Sequence, residues 1–192
     1  ETEGIRVLRR DRWGKKVGRW AKDYFRRNVL PVLTPVGLDP AHPFPQVLNK
    51  SLNFIVALEG DDAFDRDSNV AVVQVPRVVP RLIEVDSRLV PPHTFVLLSS
   101  LVHANISELF PGMQIISCYQ FRVTRNSDLW VNEDDVDDLL DALKGGLHSR
   151  NYGAAVRLEM PSHTDRATSE FLLEQFALGR DDLHLVDGPV NL

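Results

Sequence analysis

The sequence predicts an α+β domain, in which a mixed, largely antiparallel sheet packs with several helices and follows a basic amphipathic helix. Segments with a strand pattern alternate with segments with a helical pattern along the chain. A long run of β-forming residues lies between Phe110 and Asn132. Residues 11–27 show the spacing of an amphipathic helix, and basic side chains flank its apolar positions.

The N-terminal helix is predicted over residues 11–27, where apolar residues recur at spacings of three and four. These residues are Trp13, Val17, Trp20, Ala21, Tyr24 and Phe25. Packing of this stripe on a neighbouring domain is favoured over a position on a membrane surface. Pro31 is predicted to end the helix, because proline lacks the backbone donor that a helix needs.

Charge is unevenly distributed along the 192 residues, whose net charge is −5. Residues 1–30 carry ten basic and four acidic residues, a net charge of +6. The remainder carries twelve basic and twenty-three acidic residues, a net charge of −11. This asymmetry predicts that the first segment contacts something anionic. A phosphate-rich ligand, the acidic remainder of the chain and a second copy of the chain all fit.

Prolines are concentrated between residues 31 and 45. Because proline cannot donate to a sheet ladder, this segment is excluded as a central strand. It is predicted to be a rigid, extended loop that packs against the domain through apolar side chains. These are Val32, Leu33, Val36, Leu38 and Phe44.

The next segments predict two strands, at 52–58 and 70–75, which form an antiparallel hairpin around the acidic stretch 60–69. Residues 75–85 are predicted to be an edge strand or an extended crossover, because their prolines fall in both phases of a strand. A further strand is predicted at 94–98. The helix that follows it runs to Phe110, with Ser99 or Ser100 as its N-cap and a buried side made by four residues. These are Leu101, Ile106, Leu109 and Phe110.

The long β-type run is predicted to be the central strand, since its residues alternate strictly from Tyr119 onward. One face is formed by Tyr119, Phe121, Val123 and Arg125, and the other by Gln120, Arg122, Thr124 and Asn126. The first face is predicted to join the core and to end in an arginine at its rim. A turn at 126–127 and an extended stretch at 129–131 follow.

The pattern in the last third of the sequence predicts two helices and two strands. Acidic residues at 133–141 suit the first turn of a helix, whose apolar face is formed by Val136, Leu139, Leu140, Leu143 and Leu147. A strand is predicted at 154–160 and a short final strand at 183–186. Between them lies a helix capped by Thr164 or Asp165, with Phe171, Leu172 and Phe176 pointing inward.

A self-contained active site is not predicted. The sequence has neither a GxxxxGK[ST] phosphate loop nor a GxGxxG motif, and its six histidines lack metal-ligand spacing. His163 and Asp165 could be a general base and the carboxylate that orients it, but helix capping is the better explanation of these residues. Cys118 is predicted to be a small buried hydrophobe, and a solvated helix face is favoured over a cation site at 133–141. The single cysteine, the absence of a signal peptide and the lack of an apolar run of about 18 residues suit a cytoplasmic protein.

Three segments resemble one family, the long, multidomain bacterial polyphosphate kinases. They are PVLTPVGLDPAHPFPQVLNKSLNF at 31–54, LFPGMQIISCYQFRVTRNSDLWVNED at 109–134 and VDGPVNL at 186–192. The resemblance extends from about Gly4 to the end of the chain. It implies that residues 31–192 form the middle, or head, α+β domain. Residues 1–30 would then be a linker and basic helix that follow a helical N-terminal domain.

The resemblance implies that the full-length protein reversibly transfers the terminal phosphate of ATP to inorganic polyphosphate. In this family the reaction passes through a phosphohistidine in catalytic domains related to phospholipase D, and it requires Mg²⁺. No position of this chain matches the phosphohistidine, so no catalytic residue is transferred to it. The piece alone is expected to be inactive and to bind neither Mg²⁺ nor ATP.

The implied partners are the protein's own N-terminal and catalytic domains, further copies in a homo-oligomer, and inorganic polyphosphate in a tunnel bordered by several domains. Candidate polyphosphate contacts are Arg122 and Arg125, because arginine grips phosphate oxygens in a bidentate fork, and Asn126 as a neutral donor. Structural salt bridges are the alternative for both arginines. The aromatic side of helix 11–27 and the tip at 60–69 are predicted subunit contacts.

Two other classes of function remain open. The chain fits a stand-alone dimerisation or polyanion-binding module with no catalytic role. It also fits, less well, a nucleic-acid-binding protein that uses the basic segment 1–30. The overall acidity and the lack of an interleaved basic and aromatic sheet surface count against nucleic acid as a partner.

Overall fold

The structure is a computed structural model that describes residues 4–38, 43–60, 70–126 and 153–190. The chain divides into two compact units. The first contains residues 1–39 and 55–118 together with Leu192, and the second contains residues 40–54 and 119–191. The boundary that the sequence predicts between residues 30 and 31 stays a prediction.

Nine strands lie in the described part of the chain. They are β1 (Arg6–Val7), β2 (Thr34–Gly37), β3 (Leu52–Glu59), β4 (Val70–Val75), β5 (Leu82–Glu84), β6 (Thr94–Leu97), β7 (Gln114–Arg125), β8 (Ala155–Pro161) and β9 (Leu183–Val186). One sheet has the order β1-β6-β5, and a second has the order β2-β4-β3-β7-β8-β9. Parallel pairing of β8 with β9 and antiparallel pairing of β7 with β8 make the second sheet mixed. The predicted α+β class is thereby confirmed.

Three α-helices accompany these strands in the described residues: α1 (Lys15–Tyr24), α2 (Leu98–Asn105) and α3 (Arg166–Gln175). Helix α1 begins four residues later than predicted, after Gly14, and continues through a π turn at Phe25–Val29 and a 3-10 turn at Leu30–Val32. Pro31 is accommodated at the start of this last turn, where a missing N–H costs nothing. Another 3-10 turn, Ile106–Leu109, extends α2.

The apolar stripe of α1 packs inside the first unit. Val17, Ala21 and Phe25 are buried, and α2 contacts both α1 and the π turn. The buried residues of the stripe thus pack against α2 of their own unit, whereas the sequence predicted packing on a neighbouring domain. The predicted N-cap of α2 is wrong: the capping position is Leu97, which makes no side-chain capping bond, so neither Ser99 nor Ser100 fills it. The chain passes directly from β6 into α2, which leaves no separate residue for a polar cap.

The proline-rich segment differs from its predicted form. Residues Thr34–Gly37 are strand β2 rather than a loop, and Pro35 lies opposite Val73 of β4. Because β2 is an edge strand, the missing N–H of Pro35 does not have to interrupt a central ladder. Val32 and Val36 were predicted to be buried, but both are exposed. All four residues of β2 are exposed, and Val32 lies in the 3-10 turn that precedes it.

The other predicted strands agree closely with the structure. Strands β3 and β4 are neighbours, β5 lies at the edge of its sheet, and β7 lies between β3 and β8 as a central strand. The predicted strands at 70–75 and 183–186 have the bounds of β4 and β9. The tip at 61–69, the extended stretch at 129–131 and the predicted helix that begins near 133 lie outside the described residues.

The core of the second unit lies on one face of β7. Phe121 and Val123 are fully buried, as are Leu158 and Met160 of β8 and Leu172 of α3. Aromatic side chains complete this core, since the ring centroid of Phe121 lies 6.1 Å from that of Phe176. The alternation that the sequence predicts for β7 therefore matches the buried and polar faces of this strand.

Candidate polyanion-binding surfaces

Arg122 lies on the polar face of β7, directly opposite Glu159 of β8. Its guanidinium donates a hydrogen bond from Nε to the Glu159 carboxylate. Arg157 approaches the other oxygen of the same carboxylate, with 3.0 Å between Nη2 and Oε1. The Glu159 side chain is 9% exposed, whereas Arg122 and Arg157 are 26% and 41% exposed. Two partly solvated cations thus compensate the cost of burying one carboxylate.

Arg125 lies on the opposite face of the strand. Its Nε donates to the carbonyl oxygen of Val47 at 3.1 Å, and its Nη1 donates to the carbonyl oxygen of Gly153 at 2.9 Å. The guanidinium carbon stands 5.7 Å from the ring centroid of Phe176, a cation–π distance. The backbone N–H of Arg125 donates to Asn49 Oδ1 at 2.9 Å. Arg125 therefore joins loop backbone to the aromatic core at the rim of the sheet.

Asn126 follows directly after β7, and its backbone N–H donates to the carbonyl oxygen of Ala154 at 2.8 Å. The residue is exposed. The three predicted contact residues therefore do not converge, because the two arginines point to opposite faces of one strand. Sequence reasoning did not identify Glu159 and Arg157 as partners, although their alternation in the strand pattern at 154–160 places both on one polar face.

The loop between β8 and α3 shows the capping interaction that the sequence predicts. Asp165 accepts a hydrogen bond from the backbone N–H of Thr168 at 2.7 Å and is the N-cap of α3. Desolvation opposes ionisation of Asp165, but hydrogen bonds from Thr168, Tyr119 and Ala167 outweigh it and hold the pKa of the carboxyl below its ordinary value. The ring of His163 lies 6.0 Å from that of Tyr119.

Replacing Asp165 with alanine is expected to lower the free energy of unfolding by about 1 kcal/mol at pH 7, the usual effect of losing such a cap. Because the native pKa is lowered, the contribution of this carboxylate is present above its unfolded pKa of about 4 and disappears as pH falls through the native pKa. Urea denaturation at pH 7 and pH 3 measures both effects. Asp165→Asn is the matched control, and a loss that does not shrink at low pH would contradict the prediction.

Cys118 is buried in β7, as predicted, and desolvation raises the pKa of its thiol to about 12. Its carbonyl oxygen lies 3.1 Å from Nε2 of His103. We expect an aromatic disulfide reagent to modify this thiol at pH 8 far more slowly in the native protein than in denaturant, where the pKa returns to about 8.5. Equal rates in the two states would show that the thiol is exposed.

A second surface lies in the first unit, around α1. Arg12, Lys15, Lys16 and Arg19 are exposed and form no ion pair among the described residues, and we call these four residues the basic face. The cations of the next turns differ, because Lys22 and Arg26 both contact the Glu108 carboxylate, at 3.3 and 2.7 Å. The hydrogen bond from Arg26 lowers the pKa of Glu108 against a smaller opposing effect of desolvation.

A third surface is the outer face of the three-stranded sheet, also in the first unit. Ile83 and Val96 lie opposite each other on the buried face. Strand alternation therefore directs Leu82 and its partner Leu97, as well as Phe95 and its partner Val7, to the other face. Val7 and Leu82 are 51% and 45% exposed. We call these four residues the apolar face; the exposed Glu84, the β5 partner of Phe95, lies on the same side of the sheet.

The described part of the chain contains no group of three or more His, Cys, Asp or Glu side chains placed to hold a metal ion. It also contains no helix that is both long and apolar enough to cross a membrane.

The fold matches part of a solved polyphosphate kinase structure. The crystal structure of polyphosphate kinase from Porphyromonas gingivalis superposes with a TM-score of 0.72 at 18% sequence identity, covering 99% of this chain and 26% of that one. At this identity the comparison shows the shared fold.

Sequence comparisons identify the family. The model for the polyphosphate kinase middle domain matches residues 16–192, and the chain belongs to this family. It is 50% identical to a polyphosphate kinase of Pseudomonas syringae pv. tomato over 193 residues, which cover all of this chain and 26% of the relative. It is 51% identical to one of Neisseria meningitidis serogroup C, covering 99% of this chain and 28% of the relative. The chain thus spans about a quarter of the length of these relatives.

Proposed function

We propose that this chain is the middle domain of a polyphosphate kinase, an enzyme that reversibly transfers the terminal phosphate of ATP to inorganic polyphosphate in the cytoplasm. The observation that carries this proposal is the 50% identity, over the entire chain, to relatives named polyphosphate kinase. In the proposed enzyme, Mg²⁺, ATP and the phosphohistidine belong to the other domains. The middle domain contacts those domains, holds subunits together and borders the path of the polymer.

An assay of the full-length protein tests the proposed activity. With ATP, Mg²⁺ and a polyphosphate primer we expect ADP release and polymer growth, and with ADP and polyphosphate we expect ATP. The isolated chain 1–192 is the control and is expected to show no turnover. Absence of both reactions in the full-length protein would refute the proposal, as would a reading frame that ends after Leu192.

The proposed role in assembly is supported by the apolar face. Val7 and Leu82 are exposed on the two outer strands of this sheet, β1 and β5. Exposed aliphatic side chains on one sheet face are typical of surfaces that become buried on association. We expect Val7→Asp or Leu82→Asp in the full-length protein to weaken subunit association, because a carboxylate would have to be buried in the contact. Sedimentation velocity at several concentrations measures the change.

Val78→Asp is the matched control for this experiment. Val78 is 79% exposed, belongs to the same unit and lies in the loop between β4 and β5, outside the three strands that form the apolar face. Dissociation by Val78→Asp, or wild-type association of the Val7 and Leu82 variants, would exclude the apolar face as the subunit contact.

The proposed contact with the polymer includes Arg122, Arg125 and Asn126. The partial exposure of Arg122 and the exposure of Asn126 support it. Arg122 is bound to Glu159 and Arg125 to loop backbone, so both arginines also have a structural role. The informative variants are therefore two single substitutions, Asn126→Ala and Arg122→Lys, the second of which keeps the charge. Both variants of the full-length protein are expected to bind polyphosphate less tightly. Asn126→Ala loses a neutral donor, and Arg122→Lys loses the bidentate fork of the guanidinium. Unchanged affinity in both would remove Arg122 and Asn126 as contacts.

A further inference from the structure

We propose that the basic face at Arg12, Lys15, Lys16 and Arg19 is a holding surface for inorganic polyphosphate, separate from the arginines of β7. The inference rests on the proposed function, because it takes polyphosphate as the polymer that the protein handles. It differs from the proposed function in the location of the polymer contact. The electrostatic contact is assigned to α1 in the first unit rather than to the central strand in the second unit.

The position of these four residues follows from how α1 packs. Val17 and Ala21 face the interior of the unit, so the residues on the other side of the helix are directed to solvent. Lys15, Lys16 and Arg19 occur at spacings of three and four and therefore lie side by side on that surface. Arg12 belongs to the 3-10 turn Arg10–Arg12 that precedes the helix. Lys15, Lys16 and Arg19 therefore form a short row on α1, and Arg12 is an exposed cation just before it in the chain.

The charges of this row are unfavourable for the helix itself. Lys15 repels Arg19 at a spacing of four, and Lys16 repels it at a spacing of three. The first turn of α1 carries two lysines and no acidic residue, although the dipole of a helix favours anions there. Lys22 and Arg26, in contrast, share the Glu108 carboxylate. A polyanion along the row would remove both penalties.

The surroundings of the row select among polyanions. Single-stranded nucleic acids are held by cations together with free aromatic rings on which bases stack. Here the rings of Trp20 and Tyr24 pack on each other with centroids 5.5 Å apart, and Trp13 is tied by its Nε1 donor to the carbonyl oxygen of Leu8 at 3.2 Å. An anionic membrane would require an exposed apolar side of the helix, and that side is buried. A phosphate polymer without bases needs cations alone.

The experiment uses the full-length protein and inorganic polyphosphate of defined length, with binding measured at a series of salt concentrations. In the triple variant Lys15→Gln, Lys16→Gln, Arg19→Gln we expect weaker binding at every salt concentration. The slope of log K against log salt should fall by about 2–3, because each lost phosphate contact releases about one counterion fewer. Glutamine is a good helix former, so α1 should be retained.

The matched control removes three cations that are already paired with acids. Arg88 contacts Asp86, and Arg166 and Arg180 contact Glu170. Arg88→Gln, Arg166→Gln, Arg180→Gln changes the net charge equally and is expected to leave the slope within about half a unit of wild type. An equal fall in slope for both triple variants would reduce the effect to net charge and overturn the inference.

Further outcomes separate this inference from the proposed function. Wild-type affinity and slope in the α1 triple variant, with normal phosphate transfer by the wild-type enzyme, would refute the holding surface alone. Absence of phosphate transfer by the wild-type enzyme would refute both. A triple variant that loses binding to single-stranded RNA of equal phosphate number but keeps polyphosphate binding would assign the row to nucleic acid. A changed oligomer mass with unchanged polyphosphate binding would assign it to a second copy.

Discussion

Replacing Phe121 with alanine is expected to lower the free energy of unfolding by about 3–5 kcal/mol, the range measured for emptied aromatic core positions. Phe121 is fully buried at the centre of β7, and its ring lies next to that of Phe176. Phe176 in turn lies 5.2 Å from Phe44 and carries the Arg125 guanidinium. The substitution therefore opens a cavity beneath the interaction that holds Arg125.

Urea denaturation followed by far-ultraviolet circular dichroism measures this loss. Val156→Ala on β8 is the control, because Val156 is 47% exposed and should cost less than about 1 kcal/mol. A loss below 1 kcal/mol for Phe121→Ala would show that the site collapses around the smaller side chain, and would contradict the central place given to β7.

The central strand could be predicted because its signal is local. Phe121 and Val123 alternate with Arg122 and Thr124, and one face of the strand is buried while the other is polar. Such alternation is sufficient to assign each side chain to a face. The same holds for Asp165, whose position just before the apolar positions of α3 predicts a capping bond without knowledge of the fold.

The partners of the candidate residues could not be predicted, because they are set by contacts between distant parts of the chain. Arg122 meets Glu159 across 37 positions, and only the register of β7 against β8 brings them together. A register shift between Thr124 and Arg125 changes the pairing at the end of the strand. Arg125 then contacts Val47 and Gly153, neither of which carries a side-chain acceptor that a motif could reveal.

The proline-rich segment shows a different limit. Its prolines correctly exclude a central strand, yet they do not distinguish a loop from an edge strand, since Pro35 needs only one side free of a neighbour. The same edge position exposes Val36, whose apolar character alone predicts burial. The positive charge of residues 1–30 is easier to predict, because its cations can be counted in the sequence. The structure adds that Lys22 and Arg26 are the cations that contact Glu108.

Replacing Glu159 with alanine is expected to cost about 2–4 kcal/mol, somewhat less than a fully buried ion pair because both arginine partners reach solvent. The variant leaves Arg122 and Arg157 side by side on one sheet face without their shared carboxylate. Glu159→Gln keeps the shape and the acceptor oxygen and is expected to lose less. Denaturant titration of both variants gives the difference that belongs to the charge.

A double-mutant cycle with Arg122→Ala connects this stability effect to the question of polymer contact. If the ion pair is the main role of Arg122, the coupling energy between Arg122 and Glu159 should be about 1–3 kcal/mol. A guanidinium engaged in this way has one edge committed to Glu159, so a phosphate would compete with the carboxylate for it. Polyphosphate should then bind Glu159→Ala more tightly than wild type. A coupling energy near zero would show that the ion pair does not contribute to stability. Arg122 would then be available to bind the polymer in the native fold.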